Sequence, residues 1–381
     1  MRIAIICDVL GEENNGTTIA AMNLIRSLKE KGHEVRIVCP DPARAGERDC
    51  FLVPTYNLGP LNNYVAKNGV SLAKPVHSVL EEAIEGVDVV HILVPFNLGR
   101  AAVKLARERG IPVTASFHCQ AENLTSHLFL MNARRANNLT YDVFYRNVYQ
   151  YCACIHYPTQ FICDVFEKRV GPTPHYIISN GVSAAFTPGK ATRPAEWGER
   201  FVILFTGRYS KEKSHRVLID AVAQSRYKDR IQLVFAGDGP LREAIRERAE
   251  RSGILPPVMK FYGREELINV IRSADLYVHP AEIEIEAIAC LEAIACGKVP
   301  VISNSPRSAT RYFALGENNL FHCNDPADLK KKIEYWMEHP AERETCSREY
   351  AGFAKRFDYT RCMDQMEEML LDAVNKKRHE R

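Results

Sequence analysis

Short, continuous apolar runs that break off at a glycine or a charge recur along the whole chain, and they constrain its fold more than any other feature. Residues 3–7, 34–39, 88–94, 111–117 and 154–158 read this way, as do 201–207 and 231–239. Hydrophobicity that does not alternate is what a strand needs when both faces of its sheet are covered, so these runs predict parallel sheets flanked by helices. The intervening stretches carry the helical period. Ile19, Met22, Ile25 and Leu28 mark one face of a helix that stops at Gly32, and residues 101–109, 217–223 and 329–337 predict further helices. Met363, Met366, Met369 and Leu370 mark a last one over 359–375. Strand, turn, helix and strand in this order make doubly wound α/β units, whose ligand crevice lies at the carboxyl ends of the strands.

The pattern restarts halfway, and 381 residues suffice for two domains, each with its own core. The stretch 188–198 has the Pro, Gly and polar composition of a linker, which puts the boundary near residue 195. The expected division is 1–195, 196–356 and a closing helical segment over 357–381. With 50 Lys and Arg against 47 Asp and Glu, a net +3, the chain lacks the basic excess of a nucleic-acid binder. Its twelve cysteines contain no Cys-x-x-Cys, which fits buried thiols in a reducing compartment better than metal or disulfides. No apolar run approaches bilayer length and the opening residues are too few for a signal-peptide core. The expectation is a cytoplasmic protein, or one bound peripherally to a membrane.

Chemistry concentrates where the strands end. Glu284 and Glu292 stand eight residues apart, around an Ala-rich helical run that stops at Gly297. If that helix begins near Glu286, both carboxylates lie on one side, separated along the axis by about 10–12 Å. Each then accepts hydroxyl hydrogen bonds at one end of an extended ligand, with the helix N-terminus receiving phosphate between them, the layout of a nucleotide sugar. An acidic first turn that only complements the helix dipole fits the spacing equally well. Arg208 and Lys213 follow the 201–207 run, placed either to grip a diphosphate or to sit in solvent. Gly16, followed by Thr17, occupies the turn after the first strand, and His118 ends the 111–117 run; position alone leaves each free to be structural.

The stretch Glu284-x7-Glu292, continued by Ala293-Ile-Ala-Cys-Gly297-Lys-Val-Pro300, resembles the acidic signature of retaining family-4 glycosyltransferases. Gly32-His33-Glu34-Val35, the Asn180-Gly181-Val182 segment, Gly207-Arg208 and Glu212-Lys213 extend the resemblance over nearly the whole chain. It implies the GT-B fold, two doubly wound Rossmann-like domains facing an interdomain cleft, with the last helix crossing back to the first domain. It also implies a nucleotide-sugar donor held by Gly16, Thr17, Gly207, Gly263, Arg264, Glu286, Ala287, Ile288 and Glu292. Of these, Glu292 takes the ribose and the backbone after Gly263 takes the uracil. The catalytic set implied is His118 and Glu284 on the transferred sugar, with Arg208 and Lys213 on the departing diphosphate in place of a metal. Two departures stand out. The family usually has Gly-Phe-Gly after the first Glu, where this chain has Ile285-Glu286-Ala287, and Ser214 replaces a usual glycine. The extra carboxylate of Glu286 bears on the choice of sugar.

Between Asn123 and Tyr151, Phe129, Tyr141, Phe144, Tyr145 and Tyr149 alternate with Arg134, Arg135 and Arg146. That composition fits an interfacial surface or ordinary core packing with a charged outer face. In lipid-glycosylating members of the family this region carries the membrane contact, so the resemblance favours Arg134, Arg135, Arg146 and Tyr145 as acceptor and membrane residues. The basic tail from Lys376 would add attraction to anionic lipid.

The expected activity is transfer of glucose or galactose from a UDP-sugar to a membrane-lipid hydroxyl, that of diacylglycerol first, with an α-linkage and without a cofactor or metal. The expected place of work is the inner face of the cell membrane. Ceramide, phosphatidylinositol and cell-wall or exopolysaccharide saccharides are alternative acceptors. A non-catalytic nucleotide-sugar binding protein is the alternative of another class.

Overall fold

A computed structural model describes residues 1–8, 10, 16–57, 59, 72–126 and 130–379. The chain forms two compact units, Met1–Asn180 with Thr360–Arg381, and Gly181–Tyr359.

In the first unit β1 (Arg2–Ile6), β2 (Glu34–Cys39), β3 (Cys50–Leu52), β4 (Val89–Ile92), β5 (Val113–Ser116), β6 (Cys154–Tyr157) and β7 (His175–Ile177) form one sheet in the order 3-2-1-4-5-6-7. Every pairing is parallel. Ile3 to Ile6 are fully buried, as a central strand covered on both faces demands. Helices α1 (Gly16–Glu30), α2 (His77–Ile84), α3 (Asn97–Glu108), α4 (Ala121–Ser126), α5 (Arg134–Asn147) and α6 (Gln160–Val170) connect the strands. The two edge strands are three residues each and half-exposed, too short to stand out as apolar runs.

The second unit repeats the plan. β8 (Phe201–Thr206), β9 (Ile231–Ala236), β10 (Val258–Lys260), β11 (Leu276–His279), β12 (Pro300–Ser303) and β13 (Leu320–Phe321) pair in parallel in the order 10-9-8-11-12-13. Its helices are α7 (His215–Ala223), α8 (Arg242–Arg251), α9 (Arg264–Ser273), α10 (Ile288–Ala295), α11 (Pro326–Glu338) and α12 (Pro340–Ala354).

The first unit ends at Asn180, ahead of the boundary expected near residue 195. Residues 181–198 are fastened to the second unit. Phe186 and Trp197 join its core, Thr192 and Asn269 exchange two 2.8 Å hydrogen bonds, and Arg193 reaches Asp275 at 3.2 Å. Its prolines mark irregular backbone laid along a surface, and composition cannot distinguish that from a hinge. The closing helix α13 (Tyr359–His379) belongs to the first unit from Thr360 onward and buries Met363, Met366, Met369 and Leu370, the four predicted positions. There Lys31 pairs with Asp364 and Glu367, and the latter also lies 2.7 Å from His33 Nε2.

Candidate active site

The candidate residues fall into two groups, one at the carboxyl ends of the strands of each unit. In the second unit, β8 runs out into Gly207 and Arg208. The loop after β9 approaches this backbone so closely that a Cβ on Gly237, at φ +156°, would stand 2.0 Å from the Gly207 carbonyl oxygen. Lys213 follows in a short helical turn, and its neighbour Glu212 accepts a backbone bond from Glu282 at 2.7 Å, tying the cationic loop to the acidic one. Lys213 Nζ is hydrogen-bonded to Glu284 Oε1, and His279 Nε2 meets the same oxygen at 3.1 Å. Burial pushes the Glu284 carboxyl up, but Lys213 and the His279 hydrogen bond outweigh it and hold it down at about 2. Glu284 is therefore a carboxylate over the whole working range of pH.

Glu284 does not share a helix with Glu292. The helix α10 begins only at Ile288, and Glu284 lies on a strand-like segment bridged to Ser308, with Ala309 donating to its carbonyl at 2.9 Å. The intervening Ile285, Glu286 and Ala287 form the bend, and Ala287 sits at φ 65°, ψ 71° as the N-cap of α10, which no side chain caps. A glycine takes that backbone freely and alanine does not, which is why Glu286 to Ala287 cannot continue the helix backward. Ser214, the other position where the resembled family has glycine, is likewise left-handed at φ 52°. Glu286 is 3% exposed, so the residue standing in for the usual phenylalanine is interior as well. Glu292 projects from α10 half-buried, and burial raises its carboxyl to about 7 against the pull of Arg264. Arg264 opens α9 directly after its N-cap Gly263 and lies 5.6 Å over the Phe186 ring.

In the first unit Gly16 and Thr17 open α1, and Thr17 Oγ1 donates to the carbonyl of His118, just beyond β5, at 3.5 Å, which ties the start of α1 to the end of that strand. The rest of that turn, residues 11–15, lies outside the described residues. The His118 ring packs edge-on against His156 at 5.7 Å. Burial, then the neighbouring His156 and His91, depress its pKa well below the ordinary range, so it is neutral. Behind it lies a hydrogen-bonded chain. His156 Nε2 donates to the Ile178 carbonyl at 2.6 Å, so its Nδ1 accepts from Ser116 Oγ at 2.8 Å. Ser116 in turn accepts from His91 Nε2 at 2.9 Å, and His91 Nδ1 accepts from Thr114 at 2.8 Å.

Sequence reasoning missed Asp8, directly beyond β1. It is 1% exposed, Oδ1 accepts from Ala73 N at 3.2 Å, Oδ2 has no partner among the described residues, and burial raises the carboxyl to about 7. A lone carboxylate immediately after a wholly apolar run was the available signal.

The aromatic–basic stretch divides into two kinds of residue. Tyr141, Phe144 and Tyr149 are buried, and Tyr141 and Tyr149 pack with Phe117 and Phe166, so the aromatics are core rather than a membrane anchor. Tyr145 is half-buried with its ring edge toward Phe166, and Phe129 lies outside the described residues. What α5 shows to solvent is Leu139 (58% exposed), Val143 and the exposed Arg134, Arg135 and Arg146. Among the described residues, the one grouping with metal-ligand chemistry is Cys163, Glu167 and His175, away from these strand ends. There Glu167 Oε1 already accepts from Thr173 N and Oγ1 and lies 2.9 Å from His175 Nδ1.

Comparison with known proteins matches both units to family models. Residues 14–186 match Glycosyltransferase Family 4, and residues 191–351 match Glycosyl transferases group 1. A GDP-mannose-dependent alpha-mannosyltransferase of Corynebacterium glutamicum is 28% identical over 92% of this chain and 84% of its own. An alpha-monoglucosyldiacylglycerol synthase of Acholeplasma laidlawii is 21% identical over 99% and 98%. Among solved structures, Anabaena HepE in complex with UDP-glucose superposes over 98% of this chain and all of its own with a TM-score of 0.77, at 15% identity. With both halves matched and the two parallel sheets in place, the chain belongs to the family-4 glycosyltransferases and has the GT-B fold.

Proposed function

We propose that the protein is a retaining hexosyltransferase that moves glucose or galactose from a UDP-sugar to a hydroxyl of a membrane lipid, that of diacylglycerol first, forming an α-glycolipid without a metal. The observation that carries this reading is the Lys213–Glu284 pair, which joins the loop after β8 to the segment that leads into the uncapped start of α10. A departing diphosphate needs cations, and Arg208, Lys213 and the first backbone N–H groups of α10 supply positive potential there. Glu284 holds the sugar hydroxyls and Glu292 the ribose. Gly16, Thr17, Gly207, Gly263, Arg264, Glu286, Ala287 and Ile288 complete the donor site, and the neutral His118 contacts the transferred sugar and the acceptor. In the reaction the anomeric C–O bond to the β-phosphate breaks as the acceptor oxygen bonds to the same face. The acceptor's proton passes to the departing phosphate oxygen, so no protein nucleophile takes part.

The donor assignment draws on the neighbour crystallised with UDP-glucose and on the glucosyldiacylglycerol synthase relative, while the mannosyltransferase relative uses GDP-mannose. The lipid acceptor is supported by that same synthase and by the exposed Leu139–Val143 stripe flanked by arginines, which suits an anionic membrane face. No helix of the described residues is long and apolar enough to cross a membrane, so attachment at the inner face of the cell membrane would be peripheral. The test is a matrix of UDP-glucose, UDP-galactose and GDP-mannose against diacylglycerol, ceramide, phosphatidylinositol and a sterol in vesicles, with and without EDTA, read by mass spectrometry. Hexose transfer from a UDP-sugar to lipid in EDTA supports the reading. Transfer from GDP-mannose alone, dependence on added Mn²⁺, or nucleotide binding without turnover overturns it.

A further inference from the structure

Three buried side chains stand behind Glu284 without a part in the reading above. Thr206 ends β8, and Tyr277 and His279 lie on the adjacent β11, whose Tyr277 is in register with Leu204. His279 is 1% exposed, yet both ring nitrogens are engaged: Nε2 lies 3.1 Å from Glu284 Oε1, and Nδ1 lies 3.2 Å from the Tyr277 hydroxyl. That hydroxyl is 2.9 Å from Thr206 Oγ1.

The proton positions along this chain follow from what each group is able to do. An ionised carboxylate only accepts, so the proton of the His279 ring is on Nε2 and points at Glu284. Nδ1 then accepts, and the group that donates to it is the Tyr277 hydroxyl. Having spent its one proton, Tyr277 accepts from Thr206, whose hydroxyl lies 2.9 Å from it and only 3.5 Å from the Ala289 carbonyl. Every donor therefore points from the sheet toward the site, and the terminus is the carboxylate assigned to the sugar. A residue needed only to fill this space has no use for such a chain, because an apolar side chain of similar volume would pack against Phe205 as well as the His279 ring does at 5.5 Å.

The convergence on one oxygen gives the chain a purpose. Lys213 and His279 both bond Glu284 Oε1, and among the described residues no donor lies on Oε2. Two donors on one oxygen fix the rotation of the carboxyl group and leave the other oxygen for a substrate hydroxyl. Without His279, the carboxyl can turn about its last bond and present either oxygen to Lys213.

We propose that His279, oriented by Tyr277 and Thr206, is a positioning residue that fixes the Glu284 carboxylate so that Oε2 is offered to the donor sugar while Oε1 keeps Lys213 docked. The proposal rests on the assignment of Glu284 and Lys213 to the donor site.

The experiment compares His279→Leu, His279→Gln and Tyr277→Phe with the unaltered protein, using steady-state kinetics with the UDP-sugar found active and calorimetric binding of UDP. His279→Leu should lower kcat by about 10- to 100-fold, the worth of a hydrogen bond to a charged group, with the Kd of UDP changed less than about threefold. His279→Gln, whose amide still donates, should recover most of that loss. Tyr277→Phe, which lets the ring tautomers mix, should fall between them. Full kcat in His279→Leu overturns the proposal, as does a glutamine variant as impaired as the leucine one. If His279→Leu does not fold, Tyr277→Phe removes a single oxygen and decides alone, with unchanged kcat counting against the tether. Glu284→Gln and Lys213→Ala run in parallel: full activity in these two means that the site assignment itself has failed, whereas their loss with His279→Leu intact rejects the tether only.

Discussion

Lys213 has two partners to serve, the Glu284 carboxylate it now holds and the diphosphate it is proposed to receive, and this makes it the residue most sensitive to substitution. Lys213→Ala or Arg208→Ala should lower turnover at least about 100-fold, roughly 2.7 kcal/mol of transition-state stabilisation, and near-normal rates in steady-state assays would remove the phosphate grip from the account. Glu292 gives a prediction of opposite electrostatic sign. Its carboxyl is raised from 4.5 to about 7, so the folded protein keeps a proton that the unfolded chain gives up. Stability is undiminished below pH 4.5 and falls as the pH rises toward 7. Glu292→Gln should therefore raise the melting temperature at pH 8 and leave it unchanged at pH 4, and an equal shift at both would contradict this. Ala287 is a third case. Ala287→Gly relieves a left-handed alanine and should stabilise the second unit by about 1 kcal/mol, or about 2–4 °C in Tm. A lower Tm would mean that the Ala287 methyl packs favourably. Lys213, Arg208 and Glu284 stand out in the sequence as charges after apolar strands, but only the resemblance to the family's motifs singles them out from solvent-facing charges. His279 and Tyr277 do not stand out, because in a sequence a buried histidine inside an apolar run looks like any other strand residue.

At the scale of elements, the sequence read the long central strands and amphipathic helices well and the site's own geometry poorly. The start of α10 is set by the backbone of Ala287, and no periodicity reports a left-handed residue in an Ala-rich run. The aromatic stretch 123–151 fails as a guide for a related reason: composition shows which residues are present, and only packing shows that Tyr141, Phe144 and Tyr149 turn inward. What remains outside on α5 makes the membrane prediction sharper. Arg134, Arg135 and Arg146 changed together to Glu, or Leu139→Ser alone, should reduce sedimentation with anionic vesicles and slow glycosylation of vesicle-borne lipid, while a short-chain soluble acceptor is used as before. Unchanged vesicle binding would make α5 an ordinary solvated face, and equal loss with both acceptors would point to a damaged fold.

At the scale of the whole molecule, two doubly wound sheets each end their strands in a cluster of chemistry-bearing residues, and the order of apolar runs along the chain already foretold both sheets. The boundary between the units was less legible, because the tightly bound segment 181–198 has the composition of a linker. The central claim is that these clusters serve front-face transfer from a UDP-sugar with retention. It is tested most directly by incubating the protein with UDP-glucose or UDP-galactose and lipid vesicles in EDTA, isolating the glycolipid, and reading the anomeric proton coupling by NMR. The account predicts an α-linked hexosyl lipid formed with release of UDP; a β-linked product, or no transfer to any lipid from either donor, would contradict it.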